Sequence, residues 1–235
     1  MRFIRLAACC GIAGPLLFTA AWAVSLLRQS GQPAAEVQLS GLAAPDARDP
    51  QIMIAAFVVL GGSSITLGAA LRKVATARPA TSLSARALRP AGPWLVMAAG
   101  AATVTAGVFR RDHMLLTGPG FAGESWHNQV HDVASGVAYA AMLLAPLALA
   151  WRFRADRDWA VIARPIQLLA LASAAAMAVF ATRAVEPWNG ALQRAAVTIA
   201  LTAQALTALR LLTVPPAVSH GPGRPPRLPA GPAGQ

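Results

Sequence analysis

Two histidines lie four residues apart in a polar segment, Trp126 to Asp132, that separates two long apolar runs. On a helix, side chains at this spacing have Cβ atoms roughly 5–6 Å apart, so His127 and His131 could bind one ion or share one proton. If a helix begins near Glu124, a turn or two before the second apolar run, Glu124, His127 and His131 lie at i, i+3 and i+7 on one stripe of it. Ser135 continues this stripe for another turn. One carboxylate with two imidazoles is a ligand set typical of catalytic zinc sites, in which an open position holds an activated water. The segment is therefore a candidate metal site.

Other polar side chains are predicted to lie close to this stripe. Asp112 follows the preceding apolar run, and a connection of about a dozen residues leads from it to His127. In a metal-dependent hydrolase Asp112 would be the candidate general base, which accepts a proton from the attacking water. The remaining members of the predicted polar cluster are His113, Asp132, Glu186 and Arg194.

Three interpretations of the cluster stay open. The two histidines lack the glutamate of the zincin motif, so their spacing alone does not specify a metal. A hydrogen-bonded or proton-binding cluster is the second interpretation, because neighbouring carboxylates favour a charged imidazole. The third is a set of ordinary interfacial side chains at the mouth of a helix.

Haem is disfavoured as a cofactor. His127 and His131 share one helix face and cannot supply opposite axial ligands to one porphyrin. In the membrane orientation predicted below, the cytoplasmic half of each predicted helix lacks a histidine that could bind a second haem. His220 lies in a C-terminal tail and is assigned no specific role.

The composition indicates a membrane protein. Of the 235 residues, 56% are hydrophobic and 12% are charged, whereas charged residues make up about 25% of a soluble domain. The formal net charge of +11 comes from short basic clusters between apolar runs. Membrane topology explains such clusters better than nucleic-acid binding does, so membrane lipids are the predicted partners and nucleic acid is not.

Six apolar runs predict an all-α bundle of six transmembrane helices with short loops. Each run is close to the length that a helix needs to cross the hydrocarbon core, and all are rich in small residues that let helices pack closely in lipid. The helices are predicted at about 6–27, 51–71, 91–109, 133–151, 165–182 and 195–214, within one membrane domain at 1–214. Residues 215–235, with seven prolines and four glycines, are predicted to form a disordered cytoplasmic tail.

The first run has two alternative interpretations. Ala21-Trp22-Ala23 fits a signal-peptidase site that would remove the first helix, and Leu6-Ala7-Ala8-Cys9 has a superficial likeness to a lipoprotein box. The lipoprotein interpretation is weak because Arg5 interrupts the short apolar stretch before Cys9. Cys9 and its neighbour Cys10 cannot staple distant segments, so they are read as core cysteines.

Arginine and lysine residues predict that both termini are cytoplasmic and that the chain crosses the cell (inner) membrane. With this orientation, fourteen of the twenty basic residues lie inside, five of them between 72 and 89, and six lie outside. The His and acid cluster then faces the extracytoplasmic side. Arg194 lies near the start of the sixth helix on that side, where the helix dipole is unfavourable for a positive charge. It is predicted to snorkel to the interface, to bind a lipid phosphate, or to pair with Glu186 or another acid of the cluster.

Several motifs, in this order and spacing, resemble those of the bacterial domain-of-unknown-function 998 family of polytopic membrane proteins. They are Gly11 to Phe18 with Trp22, Phe57 to Gly61, Gly107-Val108-Phe109 with Asp112, Trp126-His127 with His131-Asp132, and Gly190 to Arg194. The resemblance implies a six-helix membrane domain with these polar residues at one face, and it argues against removal of the first helix. The sequence departs from the family pattern at Arg110, where proline is usual, and around Ser40-Gly41-Leu42.

The sequence predicts an integral membrane protein whose polar cluster binds a ligand, a lipid or a proton. The alternative is a metal-dependent hydrolase of a lipid-linked substrate, with His127, His131 and Glu124 as ligands of zinc. A small-molecule transporter is the third hypothesis, and it is weakened because no charged residue lies in the middle of a predicted helix.

Overall fold

The structure, a computed structural model, describes residues 2–77, 91–115 and 125–214. Within these ranges six helices are long and apolar enough to cross a membrane, which confirms the predicted six-helix bundle. Their bounds are α1 Arg2–Arg28, α2 Gln51–Ala77, α3 Ala91–Val108, α4 Trp126–Phe153, α5 Ala160–Thr182 and α6 Asn189–Thr213. Short 3-10 helices at Gly41–Ala43 and Glu186–Trp188 lie between α1 and α2 and between α5 and α6.

Several helices extend beyond the apolar runs that predicted them. Helix α4 begins at Trp126, about two turns before residue 133, and α6 begins at Asn189 instead of 195. An apolar run marks only the part of a helix that meets hydrocarbon, whereas the helix continues wherever its backbone groups and cap are satisfied. Ser125 provides such a cap for α4, since its side chain accepts a hydrogen bond from the Asn128 backbone N–H.

The helices form a closed ring in chain order. Each packs against the next, and α6 packs back against α1. The crossing of α2 and α3 is close because Gly61 faces Gly100: a Cβ on either glycine would lie 2.5 Å from the backbone oxygen of the other. Small residues at such crossings let two membrane helices approach until their backbones touch.

One end of the ring is filled by residues 37–44, which we call the plug. Val37, Leu39, Leu42 and Ala44 in this segment are at most 2% exposed and pack with apolar side chains such as Met53 from the surrounding helices. The end of the bundle that holds the plug, together with residues 29–50, 109–115 and 183–188, is called the plug end. The sequence predicted only a loop here, whereas the segment forms part of the core.

Some predictions concern residues outside the described ranges. Glu124, most of the basic segment between 72 and 89, and the tail at 215–235 with His220 lie there. The predicted third metal ligand and the predicted disordered tail are therefore not part of the structural description.

Candidate functional site: a polar cavity at the plug end

The polar segment at the start of α4 forms a hydrogen-bonded network with Asp112, which lies near the start of the α3–α4 connection. The Ser125 hydroxyl donates to Asp112 Oδ1 at 2.6 Å, and the Ser125 backbone N–H donates to Asp112 Oδ2 at 2.7 Å. Asn128 accepts from the Asp112 backbone N–H at 3.1 Å and donates to Asp132 at 2.9 Å. Asn128, for which the sequence predicted no role, thus connects the two aspartates and holds the first turn of α4 against the α3–α4 connection.

These contacts make Asp112 a poor general base. Its pKa is lowered, chiefly because the Ser125 hydroxyl and then the Ser125 backbone N–H donate to the carboxylate. A carboxylate with a depressed pKa accepts a proton less readily from water, and both of its oxygens are already engaged. Supporting the cap of α4 is the role that the geometry favours for Asp112.

The two histidines of the opening segment have different surroundings. His127 is exposed and stacks on Trp126, with ring centroids 3.7 Å apart. His131 is 1% exposed, and its Nδ1 lies 2.8 Å from the backbone oxygens of both Ala106 and Phe109. Because both neighbours are acceptors, Nδ1 carries a proton, while Nε2 lies 3.2 Å from the Ser135 hydroxyl.

No group of three His, Cys, Asp or Glu side chains suited to a metal ion occurs within 2–77, 91–115 and 125–214. The proposed zinc set of His127, His131 and Glu124 includes one residue outside these ranges. A histidine that binds a metal through one ring nitrogen usually donates the N–H of the other to a carbonyl or carboxylate oxygen. In His131 the Nδ1 makes such bonds, so Nε2 is the nitrogen available to a ligand.

The remaining members of the predicted cluster lie apart from one another. His113 is half exposed, and its Nδ1 is 3.8 Å from Asp46 Oδ2 in the α1–α2 connection. Glu186 is exposed and begins the 3-10 helix before α6. Asp132 is exposed near the start of α4. Asp112 and Asp132 are linked through Asn128.

Arg194 does not snorkel to the interface, which is one of the three roles that the sequence predicts for it. It is 7% exposed and donates hydrogen bonds to the backbone oxygens of Val37 and Ala34, and its guanidinium lies 5.7 Å from the Trp22 ring. The prediction failed because the sequence does not show that a loop folds into the bundle and presents carbonyl groups there. These acceptors compensate for the unfavourable dipole at the start of α6. Arg194 therefore fastens the plug, and none of its described bonds goes to Glu186.

A cavity of about 380 Å³, which we call the polar cavity, lies at the plug end between α4, α5 and α6. Its volume falls in the range of small-molecule sites, roughly 300–1,000 Å³. The plug, the α3–α4 and α5–α6 connections, and helices α4 and α6 contribute polar side chains to its wall. They are Gln38, Ser40, Arg111, His131, Asp132, Ser135, Tyr139, Arg183, Asn189 and Gln193.

Hydrogen bonds hold the wall of the polar cavity in place. Arg111, which is 6% exposed, donates to Gln38 of the plug at 2.9 Å. Gln193 accepts from the Leu39 backbone N–H at 2.8 Å and donates to the Tyr139 hydroxyl at 2.9 Å. The wall is thus largely formed before any ligand enters, which lowers the ordering cost of binding.

The sequence contained a partial signal for this site. His131, Ser135 and Tyr139 follow one another at intervals of four residues, so they share one face of α4. The prediction followed that stripe toward Glu124 and stopped at Ser135, and it missed Tyr139, the only tyrosine in the chain. Gln38 and Arg111 carried no comparable signal, because the contact between them depends on the fold of the plug.

Taken together, six apolar helices and a polar cavity at one end define a multi-pass integral membrane protein. A family model described as a protein of unknown function (DUF998) matches residues 12–210, and the chain belongs to this family. No curated protein and no solved structure matches the chain. The family membership confirms the resemblance stated from the sequence motifs.

Proposed function

We propose that this membrane protein is a binding module whose polar cavity takes a small molecule or lipid headgroup carrying an acidic group such as a phosphate. The observation that carries the proposal is the wall of the polar cavity, where the guanidinium groups of Arg111 and Arg183 accompany amide and hydroxyl groups. Guanidinium groups bind phosphate and carboxylate oxygens through charge-assisted hydrogen bonds. The sequence predicted a ligand- or lipid-binding module, and the proposal now names the chemical group that the ligand carries.

The wall between α4 and α5 supports access from the lipid. Gly136 lines the polar cavity, and a Cβ added there would meet no atom within 4 Å. Phe180 and Ala181, at the end of α5, line the same side. A headgroup can therefore occupy the polar cavity while its acyl chains extend along the helices. We place the plug end on the extracytoplasmic side, with both termini cytoplasmic, because basic residues are concentrated in the connections at the other end.

Binding of a phosphate group tests the proposal directly. The full-length protein in detergent is titrated with dihexanoyl phosphatidic acid and, separately, with the water-soluble sn-glycerol 3-phosphate. We expect Arg183→Asn to weaken phosphate binding about five- to tenfold, the scale of one partly exposed charge-assisted contact. Asparagine suits this position because Arg183 has a φ of 54°.

The controls separate a local from a general effect. Arg157→Asn removes another exposed arginine, at the opposite end, and is expected to change the affinity less than twofold. Binding of the lipid alone identifies a headgroup, and binding of both probes identifies a free phosphate ester. Failure of the wild-type protein to bind either probe, or equal binding by Arg183→Asn, would overturn the proposal.

The geometry favours binding over the alternative function of metal-dependent hydrolysis. Asp112 has both oxygens engaged and a lowered pKa. His127 is exposed and stacks on Trp126, whereas His131 is buried. Metal analysis distinguishes the two functions. One zinc per chain that is lost in both His127→Ala and His131→Ala would favour the hydrolase.

The third hypothesis, a transporter, receives less support. The polar cavity lies at one end, while the interior toward the other end is packed by Leu67, Ala145 and Leu149. A further cavity between these side chains measures about 30 Å³, which is room for water but not for a polar ligand.

A further inference from the structure

A second pocket, of about 200 Å³, adjoins the polar cavity at the plug end. Gln38, Arg183 and Asn189 line both spaces, so the two spaces lie side by side. The second pocket adds the carboxylates of Glu36 and Glu186, with Met114 and Leu115 as apolar walls. We refer to the two adjoining spaces as the two lobes of one candidate site.

The charges of the two lobes differ. Arg111 and Arg183 line the polar cavity, together with Asp132, which is exposed and bonded to Asn128. The second pocket has Arg183 in the shared wall and two acids, Glu36 and Glu186. A ligand that spans both lobes, with an acidic group beside Arg111, would therefore place its other end near these two carboxylates. Such a wall favours a positive charge.

Asn189 provides an independent indication of a donor group on the ligand. Its side chain is 8% exposed and borders both lobes, and its Oδ1 has no hydrogen-bond partner among the described residues. An amide oxygen accepts hydrogen bonds only, and a buried acceptor without a donor is unfavourable. Because this oxygen is enclosed, a turn of the Asn189 amide toward the second pocket would bring it within reach of an N–H group of the ligand.

We propose that the ligand carries a primary amine as well as the acidic group, with the amine in the second pocket beside Glu36, Glu186 and Asn189. This inference rests on the proposed function and names the ligand class, an amine-bearing phosphate ester of the phosphoethanolamine kind. A primary ammonium has three N–H donors, which match two carboxylates and one amide oxygen. A trimethylammonium group has no donor and is bound by aromatic cages, whereas no aromatic ring occurs among the described residues that line the second pocket.

The test compares two lipids that differ only at the amine. Dihexanoyl phosphatidylethanolamine and its N-acetyl derivative are titrated against the full-length protein in detergent, with soluble glycerophosphoethanolamine as a third probe. We expect the free amine to bind about fivefold more tightly than the acetylated one, as for a partly exposed ion pair. Binding of the soluble probe identifies a free ester as the ligand, and binding of the lipid alone identifies a headgroup.

Variants assign the preference to the second pocket. Glu36→Gln with Glu186→Gln is expected to reduce the fivefold ratio to about one by weakening the amine lipid, while the affinity for the acetylated lipid stays within twofold. Glu186→Gln alone, at an exposed position, is expected to reduce the ratio about twofold and serves if the double variant does not fold. Asp158→Asn, at the opposite end, should leave the ratio unchanged.

The outcomes distinguish the two proposals. Equal affinities of the wild-type protein for both lipids would overturn the amine site and leave the proposed phosphate site standing. Binding of neither lipid would overturn both. A preference for the free amine that persists in the double variant would also contradict the amine site.

Discussion

Replacing Arg194 by methionine is expected to lower the stability of the protein by about 2–4 kcal/mol, the usual cost of leaving buried acceptors without their charged donor. Arg194 donates to the backbone oxygens of Val37 and Ala34, and methionine fills much of its volume without supplying a donor. We expect the midpoint of thermal unfolding to fall by roughly 5–15 °C. Proteolysis should then cleave the segment at 29–50 faster, because Arg194 fastens the plug.

Two further arginine variants test whether the loss of stability comes from the pair of hydrogen bonds that the Arg194 guanidinium donates. Arg157→Met removes an exposed arginine at the other end of the bundle and is expected to change the midpoint by less than about 2 °C. Arg194→Lys keeps the charge but cannot reach both oxygens with a planar fork, so an intermediate loss is expected. A midpoint within about 1 °C of the wild-type value for Arg194→Met would show that the plug does not depend on this residue.

Replacing Gly61 by alanine is expected to destabilise the bundle by about 1–3 kcal/mol, the cost of overpacking a close interface. The new Cβ would lie 2.5 Å from the Gly100 backbone oxygen and 2.5 Å from Val104 Cγ2. The first of these atoms belongs to the backbone of α3, so α2 and α3 must move apart. Thermal unfolding in detergent measures the loss, with an expected fall of roughly 3–10 °C.

The adjacent glycine is a matched control for this substitution. Gly62 lies in the same turn of α2, and a Cβ there would meet no atom within 4 Å. Gly62→Ala is therefore expected to leave stability unchanged or to raise it by up to about 1 kcal/mol, because alanine restricts the unfolded chain and favours helix. Equal destabilisation by both substitutions would contradict the close crossing of α2 and α3.

The sequence predicted the number and order of the helices because the requirement for a long apolar segment is local. A helix must bury about twenty residues in lipid regardless of its neighbours, so each run could be recognised by itself. The start of α4 at Trp126 was harder to predict from the sequence, since the apolar run begins near 133. Its cap depends on Ser125 and on Asp112 from a different segment.

The site was predicted only in part, because its residues meet through the plug. His131 and Ser135 could be placed on one face of α4 from spacing alone. The sequence does not show that Val37 and Leu39 are core residues, since the segment around them has no long apolar run. Because the sequence did not reveal the plug, Arg194 was predicted as an interfacial cation. The metal set that includes Glu124 stays a prediction.

The central claim is that a ligand with an acidic group occupies the polar cavity, and a pair of glycine variants tests it most directly. Gly136 lines the polar cavity, and a side chain at this position leans toward the N-terminus of α4 and thus toward Asp132, which lines the cavity as well. Gly62 is exposed on α2 and does not line the polar cavity. The measurement is the affinity of dihexanoyl phosphatidic acid for Gly136→Phe and Gly62→Phe. We predict at least tenfold weaker binding for Gly136→Phe, because its ring fills the space that the ligand needs, and wild-type affinity for Gly62→Phe. Equal affinities of the two variants would contradict the claim.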